Sequence, residues 1–326
     1  MRVSTSMLYN SGLRGMMNLQ SELYRTQNQL STGRRILTPA DDPIGAAEAL
    51  EVSQSKGVNA QFKSNQADAS VQLTLAEGIV GSVGNTLTRI SELAAQAANP
   101  MIDNGQRGMI AAELKLQVET LRGLANTQDG TGLYIFSGFK STQEPFALNA
   151  TATPPNSGDT VPAYNLANTY VTYSGDAGTP ALQVTASKSM AVSENGRELF
   201  MQVRDAQGNI TGQSMFDTVK NLIDVIDPSS GMTFTATELE TVRAGLKSTI
   251  DHVANIRASL GARLNALDGL TTTATDIDYL YNVRLSELQD LDYTEAISRF
   301  SRYQTQLEAT QLTFKQTSQL SLFNLL

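Results

Sequence analysis

An unbroken alternation of three- and four-residue apolar steps limits what this chain can fold into more than any other feature. It runs from Leu239 through Val242, Leu246, Val253, Ile256, Leu260, Leu267, Leu270, Ala274, Ile277, Tyr281 and Leu288 to Leu291. Only Thr249, Arg263 and Arg284 are not apolar on that seam. A 3.5-residue period marks a helix that lays one face along a partner helix. The device also stands earlier, where Leu73, Ala76, Val80, Val83, Leu87, Ile90, Ala94 and Ala97 alternate without a miss. Its phase reaches back less cleanly through Ala69 and Phe62 to Val52, which would make a helix about 70 Å long at ~1.5 Å per residue. Two long amphipathic helices from opposite halves of the chain both need partners, and the economical solution is that they pair with each other.

Shorter helices are expected alongside. One carries Ile110, Leu114, Val118, Leu121 and Ala125 on one stripe, after the Pro- and Gly-containing break "NPMIDNGQRG" at 99–108. The other, at 214–226, opens with a Ser214/Asp217 capping box and ends at Asp227–Pro228. Between the helical halves the texture changes: residues 133–205 are rich in Thr, Gly, Pro, Tyr and Val. "YVTY" and "ALQVTA" alternate as strands do, and "SGDAGTP" between them predicts a hairpin loop. Residues 151–165 read as a long surface loop. The fold expected is mainly α with a β-rich insert: an elongated rod of long coiled-coil helices from both chain ends, carrying a small β domain. Its parts are terminal helices at 1–42 and 292–326, a rod at 43–135 and 214–291, and an inserted domain at 136–213.

The two ends have an unusual surface. From Ser4 to Thr32 the only charged residues are Arg14, Glu22 and Arg25; from Ser301 to Leu326 they are Arg302, Glu308 and Lys315. A solvated helix normally carries a charged face. Here Leu13, Met16, Leu23 and Leu30, and Tyr303, Leu307, Phe314 and Leu322, stand on a neutral polar background, as on a helix covered by other protein copies or on a poorly folded terminal segment awaiting a partner; both point to assembly. These eight are the candidate assembly residues.

Composition excludes much chemistry. A net charge of −8 with no basic run argues against nucleic acid or an anionic membrane surface as partner. No run is apolar enough to span a bilayer, and the opening "MRVSTSMLYNSGLRGMM" lacks the apolar region of a cleavable signal. Without cysteine there is no disulfide, thiolate nucleophile or Cys-ligated metal, and one histidine, His252 on the long seam, cannot make a two-His site. Asp41–Asp42–Pro43 could bear on a hard cation, but no ligand spacing follows it. Capping accounts for every residue there: Gly33 ends one helix, Asp42 caps the next, Pro43 takes its first position, and Asp41 adds favourable charge at the positive end of the macrodipole. Asp292 with Glu295 suits a D-x-x-E cap for a helix restarted after Leu291. No catalytic residue, metal site or cofactor is expected.

The two breaks also carry a resemblance. "LSTGRRILTPADDPIGAAEAL" (30–50) and "DLDYTEAISRFSRYQTQLEATQLTFKQTSQLSLFNLL" (290–326) resemble the terminal signatures of the bacterial flagellin family, at similar distances from the chain ends. "MRVSTSMLYN", the moderate length, Pro43 and "YSGDAGTPALQVTASKSMAVSENGRELF" look more like the hook–filament junction branch than like filament subunits. That resemblance implies a structural adaptor of the flagellum. It implies self-association into a ring or helical layer, contact with a hook-side junction protein and with flagellin, a cytoplasmic export chaperone on the C-terminal segment, and secretion through the flagellar type III export apparatus. Filament flagellin itself and a secreted coiled-coil adhesin or effector are the alternatives.

Overall fold

The computed structural model of the chain describes residues 5–156, 163–232 and 235–323, with the side chains of residues 5, 6, 8 and 317–323 outside the description. The helices are α1 (Thr5–Thr32), α2 (Pro43–Ala97), α3 (Asn104–Ala125), α4 (Met215–Ile226), α5 (Ala236–Gln289) and α6 (Tyr293–Phe323). The strands are short: β1 (Phe146–Leu148), β2 (Val171–Tyr173), β3 (Ala181–Thr185) and β4 (Lys188–Ala191). A mainly helical fold with small antiparallel sheets is what the periodicity predicts. The chain forms two compact units, Met1–Ala60 with Thr275–Leu326, and Gln61–Ala274.

In the second unit the 3.5-residue period becomes a core. Leu73, Ala76, Val80, Val83, Leu87, Ile90, Ala94 and Ala97 of α2 are all buried, as are Leu239, Val242, Leu246, Val253, Leu260 and Leu267 of α5. The two helices run antiparallel there, with Glu77 Oε1 2.6 Å from Arg257 Nε and Gly84 against Val253. The polar seam positions are accounted for locally. Thr249, fully buried, donates its hydroxyl to the Gly245 carbonyl one turn back (3.0 Å), and Arg263 pairs with Glu194 at 2.9 Å. Helix α3 lays Ile110, Leu114, Val118, Leu121 and Ala125 against this core. It starts on a capping box, Asp103 with Gln106, that lies inside the 99–108 break.

Helix α4 packs against α3, and every one of its residues except Lys220 is buried. A helix buried all round must satisfy its polar side chains internally. Ser214 and Asp217 form both bonds of the expected box. Asp217 also accepts from the Tyr170 amide (2.8 Å) and the Thr169 hydroxyl (3.2 Å). Asn221 exchanges two hydrogen bonds with the backbone of Tyr164, at 3.0 and 2.8 Å. Lys220 pairs with Asp224 and lies 4.9 Å over the Tyr164 ring.

The insert departs from the expected strand pairing. "YVTY" and "ALQVTA" do not form a hairpin: β2 pairs with β1, and β3 pairs with β4, in two separate antiparallel sheets. The connecting "SGDAGTP" is held elsewhere. The Asp176 carboxylate accepts from the Phe139 amide (3.0 Å) and the Gly178 amide (2.7 Å), while the Tyr173 hydroxyl donates to the carbonyls of Phe136 (3.0 Å) and Asp176 (2.9 Å). The segment is therefore tied to the 136–139 turn and cannot fold β2 back onto β3. A cluster of four phenylalanines joins the insert to α4: Phe200 meets Phe136 and Phe146 edge-on at 5.4 and 5.0 Å and stacks on Phe216 at 5.9 Å. Such pairs add about 0.5–1.5 kcal/mol each beyond area burial. Gly196 allows this closure, since a Cβ there would stand 2.2 Å from the Phe136 carbonyl oxygen.

Candidate assembly surface and the joint between helices

In the first unit α1 and α6 pack on each other. They run antiparallel: Phe314 lies against Tyr9, with ring centroids 4.9 Å apart, and over Gly12, while Tyr293 reaches Gly33 at the other end. A Cβ on Gly12 would stand 2.9 Å from the Phe314 ring, so the closeness of the pair depends on that position. Leu13, Met16, Leu23 and Leu30 on α1 and Tyr303, Leu307 and Phe314 on α6 are all half-buried. The side chain of Leu322 lies outside the described residues.

A second set of apolar residues on the same helices stays exposed: Met7, Met17 and Tyr24 on α1, Ile297 and Leu312 on α6, each more than half accessible. Sequence reasoning missed them because it followed only the stripe with the cleanest period. The low charge of both helices was the signal that more than one face is apolar. The second unit has exposed apolar residues as well. Val71 and Leu75 with Gly78 and Ser82 line a shallow groove on α2, and Met109 and Leu116 stand out from α3.

The breaks in the chain meet within the first unit. Gly33 follows α1 at φ +69°, the left-handed conformation glycine adopts without a Cβ clash, and its amide reaches the Gln29 carbonyl at 2.9 Å. Beyond it Arg34 and Asp290 form an antiparallel bridge, in which the Arg35 amide donates to Gln289 (2.7 Å) and the Leu291 amide donates to Gly33 (3.0 Å). Asp42 stands immediately before α2, whose first residue is Pro43, and its carboxylate accepts from the Gly45 amide at 2.9 Å. Its other oxygen pairs with Arg35 at 3.1 Å. Asp41 does more than add charge near a helix start: it accepts from the amides of Leu37 (3.0 Å) and Thr38 (2.8 Å) and pairs with Arg25 of α1 at 2.9 Å. Amide donation, from Thr38 to Asp41 and from Gly45 to Asp42, holds both carboxyls below the ordinary aspartate value.

Asp292 receives the amides of Thr294 (2.9 Å) and Glu295 (3.1 Å) at the start of α6. The Glu295 carboxylate faces Arg299, 3.8 Å away. These acidic groups are occupied with backbone amides and arginines. His252 is buried with Nε2 3.0 Å from the Glu198 carbonyl, and burial pushes its basicity down. Among the described residues no three His, Cys, Asp or Glu gather as a metal site, and no helix is long and apolar enough to cross a membrane.

Comparison with known proteins places this architecture. Residues 3–141 match the bacterial flagellin N-terminal helical region, and residues 244–326 match the C-terminal helical region. The chain is 30% identical to flagellar hook-associated protein 3 of Escherichia coli over 335 aligned positions, covering all of this chain and 99% of that one. It is 28% identical to the protein of the same name from Salmonella typhimurium, covering 100% and 99%. Flagellin of Bacillus subtilis is 23% identical over 98% of this chain and 97% of its own. Among solved structures, hook-associated protein 3 of Legionella pneumophila superposes with a TM-score of 0.61 at 21% identity, covering 73% of this chain and 98% of that one. The chain thus belongs to the flagellin family, and within it is similar end to end to the hook-associated protein 3 group.

Proposed function

We propose that this chain is a structural adaptor subunit of the bacterial flagellum, joining the hook side to the flagellin filament and needed for filament assembly and motility. The observation that carries the reading is the low-charge α1–α6 pair. It keeps Met7, Met17, Tyr24, Ile297 and Leu312 exposed after the two helices have already covered each other. Apolar residues left open on so sparsely charged a helix pair fit a surface that other protein covers. Residues 1–42 and 292–326 act as the terminal assembly layer, with the candidate residues Leu13, Met16, Leu23, Leu30, Tyr303, Leu307, Phe314 and Leu322 at its interface. Residues 43–135 with 214–291 act as a rod that meets lateral neighbours through the exposed apolar residues of α2 and α3. Residues 136–213 form an outward-facing insert.

Copies of the chain associate by heterologous contacts into a ring or helical layer. The layer touches a hook-side junction protein below and flagellin above, outside the cell. Before export a cytoplasmic chaperone holds the C-terminal segment, and the flagellar export apparatus secretes the chain. The role is non-enzymatic; Gly33 serves it as a turn, Asp42, Pro43 and Asp292 start helices, and Glu295 gives its amide to Asp292 while its carboxylate faces Arg299, so the expected two-way D-x-x-E box is only half formed.

Deleting 301–326 tests the reading. The unit 61–274 is expected to stay folded while the protein no longer enters flagella, seen by immunogold electron microscopy of hook ends. Normal incorporation of the truncated chain refutes it. Similarity to filament flagellin keeps that reading open to the same method: loss of this chain alone should leave bare hooks and shed unpolymerised flagellin, whereas a filament subunit would leave hooks capped by both junction layers.

A further inference from the structure

The breaks at 33–42 and 289–292 look, from sequence, like places where helices bend. A hinge is poor in contacts, with backbone donors open to water. This joint is the opposite. The amides of Gly33, Arg35, Leu37, Thr38, Asp41 and Gly45 are each bonded, and the buried Gln29 side chain donates to the Arg35 carbonyl at 2.7 Å. Arg35 ties the two breaks together. Its Nη1 is 3.1 Å from Asp42, the residue before α2, and its Nη2 donates to the Leu288 carbonyl (2.8 Å) in the last turn of α5. A planar guanidinium between a carboxylate and the negative end of a helix meets two complementary partners at once. A second observation agrees: the boundary of the compact unit falls at 60/61 and 274/275, inside α2 and α5, and the whole joint lies within one unit.

We infer that the two breaks form a single rigid clasp, locked by Arg35, which holds the terminal helix pair to the first turns of α2 and the last turns of α5 and resists bending at this level. Arg35 is a positioning residue: it acts by holding Leu288 and Asp42. Any adjustment of shape by the assembled subunit then has to arise beyond the clasp. The inference deepens the adaptor reading, and the rigidity itself is testable apart from it.

The absence of cysteine from the chain allows a clean test. Arg34 and Asp290 face each other as a non-hydrogen-bonded antiparallel pair, since the ladder bonds run from residues 35 and 291, and such pairs bring side chains close enough for a disulfide. The full-length Arg34→Cys/Asp290→Cys protein is oxidised in solution and the cross-linked fraction followed with time. Near-complete cross-linking is expected. Adding Arg35→Ala should slow it roughly three- to fivefold, because a guanidinium that stays partly exposed keeps only part of the weight of a charge-assisted hydrogen bond. Arg35→Lys, which can keep one contact at a time, should fall between. An unchanged rate with Arg35→Ala, or little cross-linking in the parent, overturns the clasp.

Oxidised and reduced proteins are then supplied with flagellin to cells lacking the chain. Equal filament regrowth is the expected result, because a locked joint has lost nothing. Regrowth with the reduced form alone means the joint must open in service and overturns the inference. If neither form nor the unmodified chain supports regrowth, the adaptor reading fails, while the cross-linking rates still decide the clasp.

Discussion

Removing the Asp217 carboxylate tests how the insert is held to the helices. In the folded chain this group receives the Ser214 amide at 3.0 Å, the Tyr170 amide at 2.8 Å and the Thr169 hydroxyl at 3.2 Å. Thr169 keeps a second acceptor in the Val171 carbonyl, so Asp217→Ala leaves two main-chain donors without partners. An orphaned buried donor costs about 1–3 kcal/mol, and relief of a buried charge offsets part of the sum. The net expectation is about 2–4 kcal/mol. Because the chain has two compact units, a single unfolding free energy is not the right observable. Native-state hydrogen exchange of α4 and of residues 164–170 in the full-length protein is. That loss should accelerate exchange there by roughly 30- to 700-fold, since about 1.4 kcal/mol is tenfold, with α1 and α6 unaffected.

A companion Asp217→Asn separates bonding from charge. Burial pushes the Asp217 carboxyl above 3.8, so the folded state holds its proton more tightly than the unfolded state. Its contribution is therefore smallest at neutral pH, grows as pH falls through the raised folded value, and is complete below the unfolded value. The Asn variant should lose that slope. Acceleration below threefold in Asp217→Ala would refute the claim that this carboxylate holds the 164–170 segment to α4.

Leu260→Ala, at a fully buried seam position, should destabilise the 61–274 unit by about 2–5 kcal/mol through lost burial and a residual cavity, read as reduced exchange protection along α5. His252, neutral when folded because burial lowers its proton affinity, should make the Glu198–Met201 turn lose protection as pH falls below about 6.5. As the only histidine it gives a single imidazole NMR resonance, whose midpoint should lie under that value, and His252→Gln should abolish the dependence. Gly12→Leu should drive a side chain into the Phe314 ring, part α1 from α6 and reduce swimming in soft agar, while the 61–274 unit melts as in the parent.

The seams show how much was legible in the chain itself. A side chain's place on a helix depends only on its spacing from its neighbours, so Leu73 to Ala97 and Leu239 to Leu267 announce both the helices and their buried face. Caps are equally local: Ser214 with Asp217 can be read three residues apart, and Asp103 with Gln106 could have been. Strand pairing could not. Whether "VTY" joins "FAL" or "ALQVT" depends on where Asp176 and Tyr173 find partners, and those lie near residues 136–139, far along the chain.

The same division runs through the candidate assembly surface. Sparse charge at both ends is a property of composition and marks them as segments that other protein would cover. Which apolar residues the chain covers by itself and which it leaves open was decided only when α1 met α6, leaving Leu13 and Phe314 half-buried and Met17 and Leu312 exposed. Residue spacing is enough to specify two long helices, their buried stripes and the places where they stop. Tertiary structure alone decided what happens at those stops. Arg35 can bridge α5 and Asp42 only because two breaks some 250 residues apart in the chain are brought side by side.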